Sequence, residues 1–290
     1  MNQPLITVIT VAFNALEALK ETAQSTWAQD YPHLEYIIVD GASKDGTKEW
    51  LMKIEGTEKS GNNGSPGISE HQNTEASKYR NTEASKPRSI EISNPQNTKT
   101  PEKKLIAASC PVRWISEPDR GIYDAMNKGA AMAKGEYCIF MNAGDTFVDE
   151  HVVSQLFAQA KAEADVIYGD IMKNGQLKGS LSPRNCHKMF YCHQAVFTRT
   201  ACLREIPFDI KHRYSADFKQ AKQLFLAGKC FQYINMPVAN FDTNGISNTQ
   251  RSKGLWDNVK VVCEVDSFKD KCRFLPHLLF PWIMCKLRGK

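Results

Sequence analysis

The chain has 290 residues, 42% hydrophobic and 24% charged, the balance of a soluble globular protein that can bury one large core or two modest ones. Its formal charge of +5 falls well short of a nucleic-acid footprint, so nucleic acid is not an expected partner. No run reaches the roughly 18 apolar residues of a membrane span, and the start MNQPLITVIT lacks a secretory leader's features; with nine irregularly spaced cysteines, reduced thiols and a cytoplasmic location are expected.

Leu5 to Phe13 is rich in branched residues and reads as a strand, and Asn14 stands where it can cap a helix carried by Ala15, Leu16, Leu19, Ala23 and Trp27. Tyr31 and Pro32 break that helix. Leu34 to Val39 forms a second buried strand, and the turn Asp40, Gly41, Ala42, Ser43 leads into a helix starting near Gly46. A right-handed crossover puts both strand ends, with Phe13, Asn14 and Asp40, at one edge of a sheet. From about Glu55 to Ala108 polar residues dominate, and NTEASK occurs twice, at Asn73–Lys78 and Asn81–Lys86. Such a stretch buries too little surface to offset its ordering entropy, so it is expected to be a disordered or extended insertion.

Order resumes with a strand at Val112 to Ile115. Ile122, Ala125, Met126, Gly129, Ala130 and Ala133 then share one helical face, with Asp119 in N-cap territory and Gly135 closing the element. The apolar run Tyr137 to Met141 predicts a strand buried in a parallel sheet, and Asn142, Ala143, Gly144 and Asp145 follow at its carboxyl end. Ligands bind at that edge of open α/β sheets, which places Asp145 for chemistry. A helix at His151–Ala162, strands at Asp165–Tyr168, Gln194–Thr198 and Cys230–Ile234, and a helix at Ser215–Ala227 complete the pattern. The pairs Cys186-His187 and Cys192-His193 fit zinc spacing poorly. From Phe268 to Lys290, an apolar middle lies between basic flanks and is interrupted by Pro276 and Pro281. It is too short to span a bilayer, and it suits peripheral contact with the inner face of the membrane, or cover for the protein's own core or a homodimer surface.

Taken in order, TVITVAFN, IIVDGASKDGT, EPDRGIYDAMNKGAAMAKGEYCIFMNAGD and HQAVFTR with SADF resemble the large family-2 glycosyltransferases of GT-A fold, over roughly residues 4 to 240 outside the insertion. The resemblance implies an α/β fold: a GT-A-like, Rossmann-like, mostly parallel sheet sandwiched by helices. The domain would span residues 1–267, with the insertion at 55–108 inside it and an extension at 268–290. It further implies inverting transfer from a nucleoside diphosphate sugar, a UDP-hexose or N-acetylhexosamine, to a glycan or lipid-linked acceptor in surface polysaccharide synthesis.

By the same resemblance, the nucleotide-sugar donor contacts Val11, Phe13, Asn14, Asp40, Gly41, Ser43, Asp119, Arg120, Asn127 and Asn142, with Phe13 stacked on the base. The family often has two aspartates where this chain has Asp40-Gly41. Its metal motif, usually a run of aspartates, is thinned here to Asn142, Gly144 and Asp145. Asp145 is therefore the implied ligand of Mn2+ or Mg2+, ions that need only one or two protein carboxylates when diphosphate and water complete the shell. Asp217, matching the second acid of a Glu-Asp pair, is the implied general base, with burial expected to raise its pKa, and His193 lines the acceptor side. Two rival readings are a non-catalytic binding module of the same fold, separable by donor hydrolysis, and a dinucleotide-dependent oxidoreductase. The latter lacks its G-x-G-x-x-G turn after the first strand.

Overall fold

Every residue of β1 (Ile6–Ala12) and β2 (Leu34–Asp40) is buried, as strands covered by helices on both faces require. They pair in parallel from Ile6 opposite Leu34 to Ala12 opposite Asp40; β3 (Val112–Ser116) adds in parallel outside β2, and β4 (Tyr137–Phe140) flanks β1. The computed structural model describes residues 3–59, 110–242 and 250–287. Most of the polar stretch read as an insertion lies outside them, except that α2 (Thr47–Lys59) runs a turn past its expected end.

Beyond β4 the strand directions change. β8 (Val196–Arg199) is antiparallel to both β4 and β6 (Val166–Lys173), β9 (Phe231–Phe241) is parallel to β6, β5 (Thr146–Phe147) is antiparallel to β9, and β7 (Gln176–Lys178) forms a hairpin on β6. The resulting order is β3-β2-β1-β4-β8-β6-β9-β5. Parallel pairing thus holds through the N-terminal half, and the other half is mixed. β9 also runs well past the expected Ile234: it bulges between Tyr233 and Ala239, opposite Tyr168 to Ile171 of β6, and Pro237, which has no N–H to give, sits in that irregular stretch.

Alternation along the strands feeds two cores. Ile6, Val8 and Ile38 face Leu19 and Ala23 of α1 (Leu16–Trp27), Leu51 of α2 and Leu156 of α4 (Val152–Gln159). Ile9, Val11, Ile37 and Val39 face Ala125, Met126 and Ala130 of α3 (Ile122–Met132) and Leu203 of α5 (Thr200–Glu205). Each such fully buried branched side chain contributes about 1.5–3 kcal/mol. α3 lies so close on β1 that a side chain at Gly129 would overlap Ile9.

Three local expectations change. α1 is not capped by Asn14, since the Leu16 N–H is taken by Asp45 Oδ2 at 2.9 Å. α3 begins after Gly121, whose φ of 122° suits glycine, so Asp119 lies before the cap and accepts the Gly121 N–H at 2.8 Å. The same helix ends at Met132, and Gly135 serves a close crossing instead, where a Cβ would sit 2.6 Å from the Thr7 nitrogen.

At the carboxyl end, α6 (Ala216–Leu226), α7 (Arg251–Val265) and α8 (Phe268–Leu287) pack together. α8 runs through Pro276 and Pro281, which were expected to interrupt it. Each proline forfeits one backbone bond, and burial of Phe274 and Leu278 against Phe218, Val259 and Val262 offsets the loss. A buried Lys222–Asp266 ion pair at 2.9 Å ties the hairpin to α6, with the Lys222 ammonium 4.8 Å from the Phe274 ring centre. No helix among the described residues is long and apolar enough to cross a membrane.

Candidate active site

The carboxyl ends of β1, β2 and β3 form the first wall of the site. Phe13 projects from β1 with 65% of its surface exposed. A Cβ placed on Gly41 would lie 2.5 Å from Asp119 Oδ2 and 3.2 Å from Phe13 Cδ2, so these three residues converge and glycine is the residue that fits between them. A side chain at position 41 would have to displace the Asp119 carboxylate. An exposed ring beside a carboxylate can stack a base and accept hydrogen bonds from a nucleoside.

Several implied donor residues are instead spent on holding this wall. Asp40 is fully buried; it accepts from the Ser43 N–H and hydroxyl and from Ser116 Oγ at 2.6 Å. These bonds tie its turn to the end of β3. Ser43 Oγ also accepts the Asn14 N–H at 2.7 Å, and Asn14 Oδ1 takes the Lys44 N–H at 2.8 Å, which locks the two loops together with Asn14 at φ 49°. The Val11 side chain belongs to the core, and only its carbonyl reaches the site region, accepting the Ala143 N–H at 3.2 Å. Asn127 makes a two-way amide pair with the Phe208 backbone, donating at 2.8 Å and accepting at 3.0 Å, so it clamps α3 to a loop. Arg120 is held at 2.9 Å by Asp124 one turn along α3, with most of its side chain in solvent.

The second wall is a string of polar contacts from β4 to α6. Asn142 Nδ2 donates to His193 Nε2 at 3.1 Å, which leaves Nδ1–H turned toward Asp217 Oδ2, 3.5 Å away. Asp217 Oδ1 accepts from the Tyr123 hydroxyl at 2.9 Å and from the Phe218 N–H at 2.8 Å. Burial pushes the Asp217 carboxyl up, but His193, Tyr123 and the Phe218 amide outweigh it and hold the pKa below the usual carboxylate range. This reverses the expected direction and keeps the group ionised at neutral pH. Tyr123 in turn rises well above its ordinary value through burial and the Asp217 charge. The Asn142 Oδ1 atom is buried with no hydrogen-bond partner.

Asp145 is 3% exposed, and its Oδ1 accepts the Asp242 N–H at 2.9 Å. Burial raises its pKa, and the Asp242 carboxylate adds to that against the hydrogen bond from the Asp242 amide. A Cβ on Gly144 would meet Asp242 Oδ2 at 2.7 Å, so Asp242 fills the space of the acid missing from position 144. Asp145 and Asp242 are neighbouring carboxylates, the hard oxygen ligands that suit Mn2+ or Mg2+. Elsewhere, Asp209, His212 and Glu264 converge like metal ligands, but Lys219 Nζ already lies 2.7 Å from Asp209 and 2.6 Å from Glu264. That cluster is an ion-pair network. The expectation against zinc concerned residues that go separate ways: Cys186 and Cys192 donate to Lys188 O and Gln194 Oε1, and His187 stacks on His277.

The model of the family described as "Glycosyl transferase family 2" matches residues 7–81 and 93–231. The chain belongs to glycosyl transferase family 2. It is 24% identical over 269 residues to an uncharacterized glycosyltransferase of Mycobacterium tuberculosis, covering 89% of this chain and 82% of the relative. Among solved structures, Staphylococcus aureus TarS in complex with UDP-GlcNAc is similar at 13% identity with a TM-score of 0.59, covering 96% of this chain and 71% of TarS. The mannosyltransferase PcManGT of Pyrobaculum calidifontis, in complex with GDP-Man and Mn2+, is similar at 14% identity with a TM-score of 0.59, covering 91% of this chain and 64% of that one. These likenesses establish the GT-A fold, and family membership makes the protein a glycosyltransferase.

Three residues of this glycosyltransferase's site were not singled out by sequence reasoning. Tyr123 lies inside the quoted motif EPDRGIYDAMNKG, one residue into α3, and only the fold turns it toward Asp217. Ser116 is the last residue of β3, a polar side chain at a strand's carboxyl end, and that position was an available signal. Asp242 follows β9 directly and was hidden because that strand was expected to end at Ile234.

Proposed function

We propose that the enzyme transfers a hexose or N-acetylhexosamine from a nucleoside diphosphate donor, with inversion, to a hydroxyl of a glycan or lipid-linked acceptor in surface polysaccharide synthesis. The observation that carries this reading is Asp217, ionised, with one oxygen anchored by Tyr123 and Phe218 and the other facing His193. Phe13 and Asp119 take the base and ribose beside Gly41. Asp145 and Asp242 hold the divalent cation, which when bound neutralises charge on the departing diphosphate.

Asp217 Oδ2 takes the proton of the acceptor hydroxyl as that oxygen forms its bond to the anomeric carbon. The bond to the diphosphate breaks on the opposite face. His193 acts as a positioning residue, oriented by Asn142 so that its Nδ1–H steadies the carboxylate. The basic, apolar α8 brings the site to the cytoplasmic face of the membrane or to a second copy of the chain. Because the structural neighbours were solved with UDP-GlcNAc and GDP-Man, UDP- and GDP-sugars are the first donors to test. A screen of nucleotide sugars for released nucleoside diphosphate, with and without Mn2+ or Mg2+, is expected to single out one donor with metal-dependent release. No release from any donor would return the chain to the binding-module reading.

A further inference from the structure

The Lys211–Tyr214 loop, α7 and α8 enclose a cavity of about 370 Å³. Five cations line it, Lys211, Arg213, Lys253, Lys260 and Lys286, against one carboxylate, Asp257. That carboxylate is buried and committed, with Oδ1 3.2 Å from His212 Nδ1 and Oδ2 accepting the Tyr214 N–H at 3.0 Å. Lys260 approaches it only to 3.7 Å, and among the described residues no carboxylate pairs with Lys211, Arg213, Lys253 or Lys286. Trp256 and Trp282 stack at 4.7 Å as the apolar wall. Cations gathered in a concave, aromatic-walled space repel one another and focus a positive field, and an anion with several acceptor oxygens relieves that repulsion.

One lining residue lies close to Asp217 along the chain. Tyr214 precedes Asp217 by three residues, which limits their Cα separation to about 11 Å. α8 turns Trp282 and Lys286 into the cavity while Phe280, Ile283 and Leu287 stay exposed on the same helix. We propose that this cavity is a second anion site, apart from the donor cleft, that holds a phosphate or diphosphate group beside the acceptor side of Asp217. The placement rests on the reading of Asp217 as the base; the anion chemistry of the cavity does not.

The test is a titration of the full chain with inorganic pyrophosphate, followed by tryptophan fluorescence at saturating UDP or GDP so that the donor cleft is filled. Flotation with phosphatidylglycerol or phosphatidylcholine vesicles accompanies it. Pyrophosphate is expected to bind and change the fluorescence. Trp282→Phe is expected to abolish most of that change, and the double variant Arg213→Gln/Lys253→Gln to bind at least about tenfold more weakly with an unchanged circular dichroism spectrum. Phosphatidylglycerol flotation that the double variant loses identifies a lipid headgroup as the source of the phosphate. Pyrophosphate binding without such flotation identifies the acceptor's own phosphate. Absence of pyrophosphate binding with nucleotide present, or binding that the double variant leaves intact, overturns the site. Asp217→Asn is expected to bind pyrophosphate like the unaltered chain; if it also kept its turnover, the base assignment would fall and the anion site would stand.

Discussion

Asp40 and Asp217 are both carboxylates at the ligand-binding edge of the sheet, yet their surroundings differ in kind. Asp40 has no exposed surface, and its oxygens are filled by Ser43 and Ser116. Asp217 keeps 19% of its side chain exposed, with one oxygen anchored and the other facing a histidine. An acid whose hydrogen bonds all come from its own turns stabilises those turns, whereas an acid with a free edge can take up a proton. On the proposed reading, the donor half of the site is a rigid wall that offers Phe13 and Asp119, and the acceptor half carries the group that reacts.

The comparison predicts a separation of effects. Replacing Asp217 with Asn is expected to cut turnover by about 100-fold or more, with the affinity for nucleotide nearly intact by calorimetry. Near-normal turnover would erase the distinction between the two acids. Asp40→Ala acts through the scaffold: it leaves the Ser43 and Ser116 donors unpaired, which costs about 1–3 kcal/mol each in a buried site, and a clear drop in the denaturation midpoint should report it. An unchanged midpoint would mean that Asp40 is not the organiser described.

A smaller effect sharpens the acceptor half. Tyr123→Phe removes the hydroxyl that anchors Asp217 Oδ1, so turnover should fall by roughly tenfold through lost positioning, and because that contact also lowers the Asp217 pKa the acid limb should move to higher pH. The sign for stability follows from the depressed pKa. The Asp217 contribution is present above the unfolded value of about 3.9 and is lost as pH falls through the lower folded value. In Tyr123→Phe the contribution is smaller and its loss is complete at a higher pH; a pH profile of turnover and of melting that matched the unaltered chain would contradict it. The smallest expected effect belongs to the polar stretch. Replacing residues 60–107 by a short Gly-Ser connection should preserve folding and most activity, because loop length enters stability only logarithmically. Loss of the folded state would show that the segment packs.

How much of this was legible in the chain varies with the range of the contacts. Strands β1, β2 and β4 and their carboxyl-end residues followed from continuous apolar runs bounded by turn signals, since burial on both faces leaves a one-dimensional signature. Asp217 and His193 were found through motif resemblance, and the depressed pKa of Asp217 was not, because it depends on the fold bringing His193 and then Tyr123, 94 positions away, against the carboxylate. Asn127 and Asp40 were named through the resemblance, and their bonds to Phe208 and to Ser43 and Ser116 were not legible, because those partners lie on loops and strand ends that only the fold brings together. Asp242 escaped because its approach to Asp145 depends on a bulge that lengthens β9 past Pro237. The uninterrupted α8 went the same way: two prolines argue against a helix locally, and tertiary burial of Phe274 and Leu278 decides otherwise.

The central claim, that one carboxylate removes the acceptor proton while the diphosphate departs from the far side, is tested most directly by the stereochemistry of the product. Proton NMR of the new glycosidic linkage, formed from an α-configured nucleotide sugar identified in the donor screen, should show the β-anomer from the first turnover. An α-linked first product would require the sugar to leave and be captured on the same face, and would contradict the role given to Asp217.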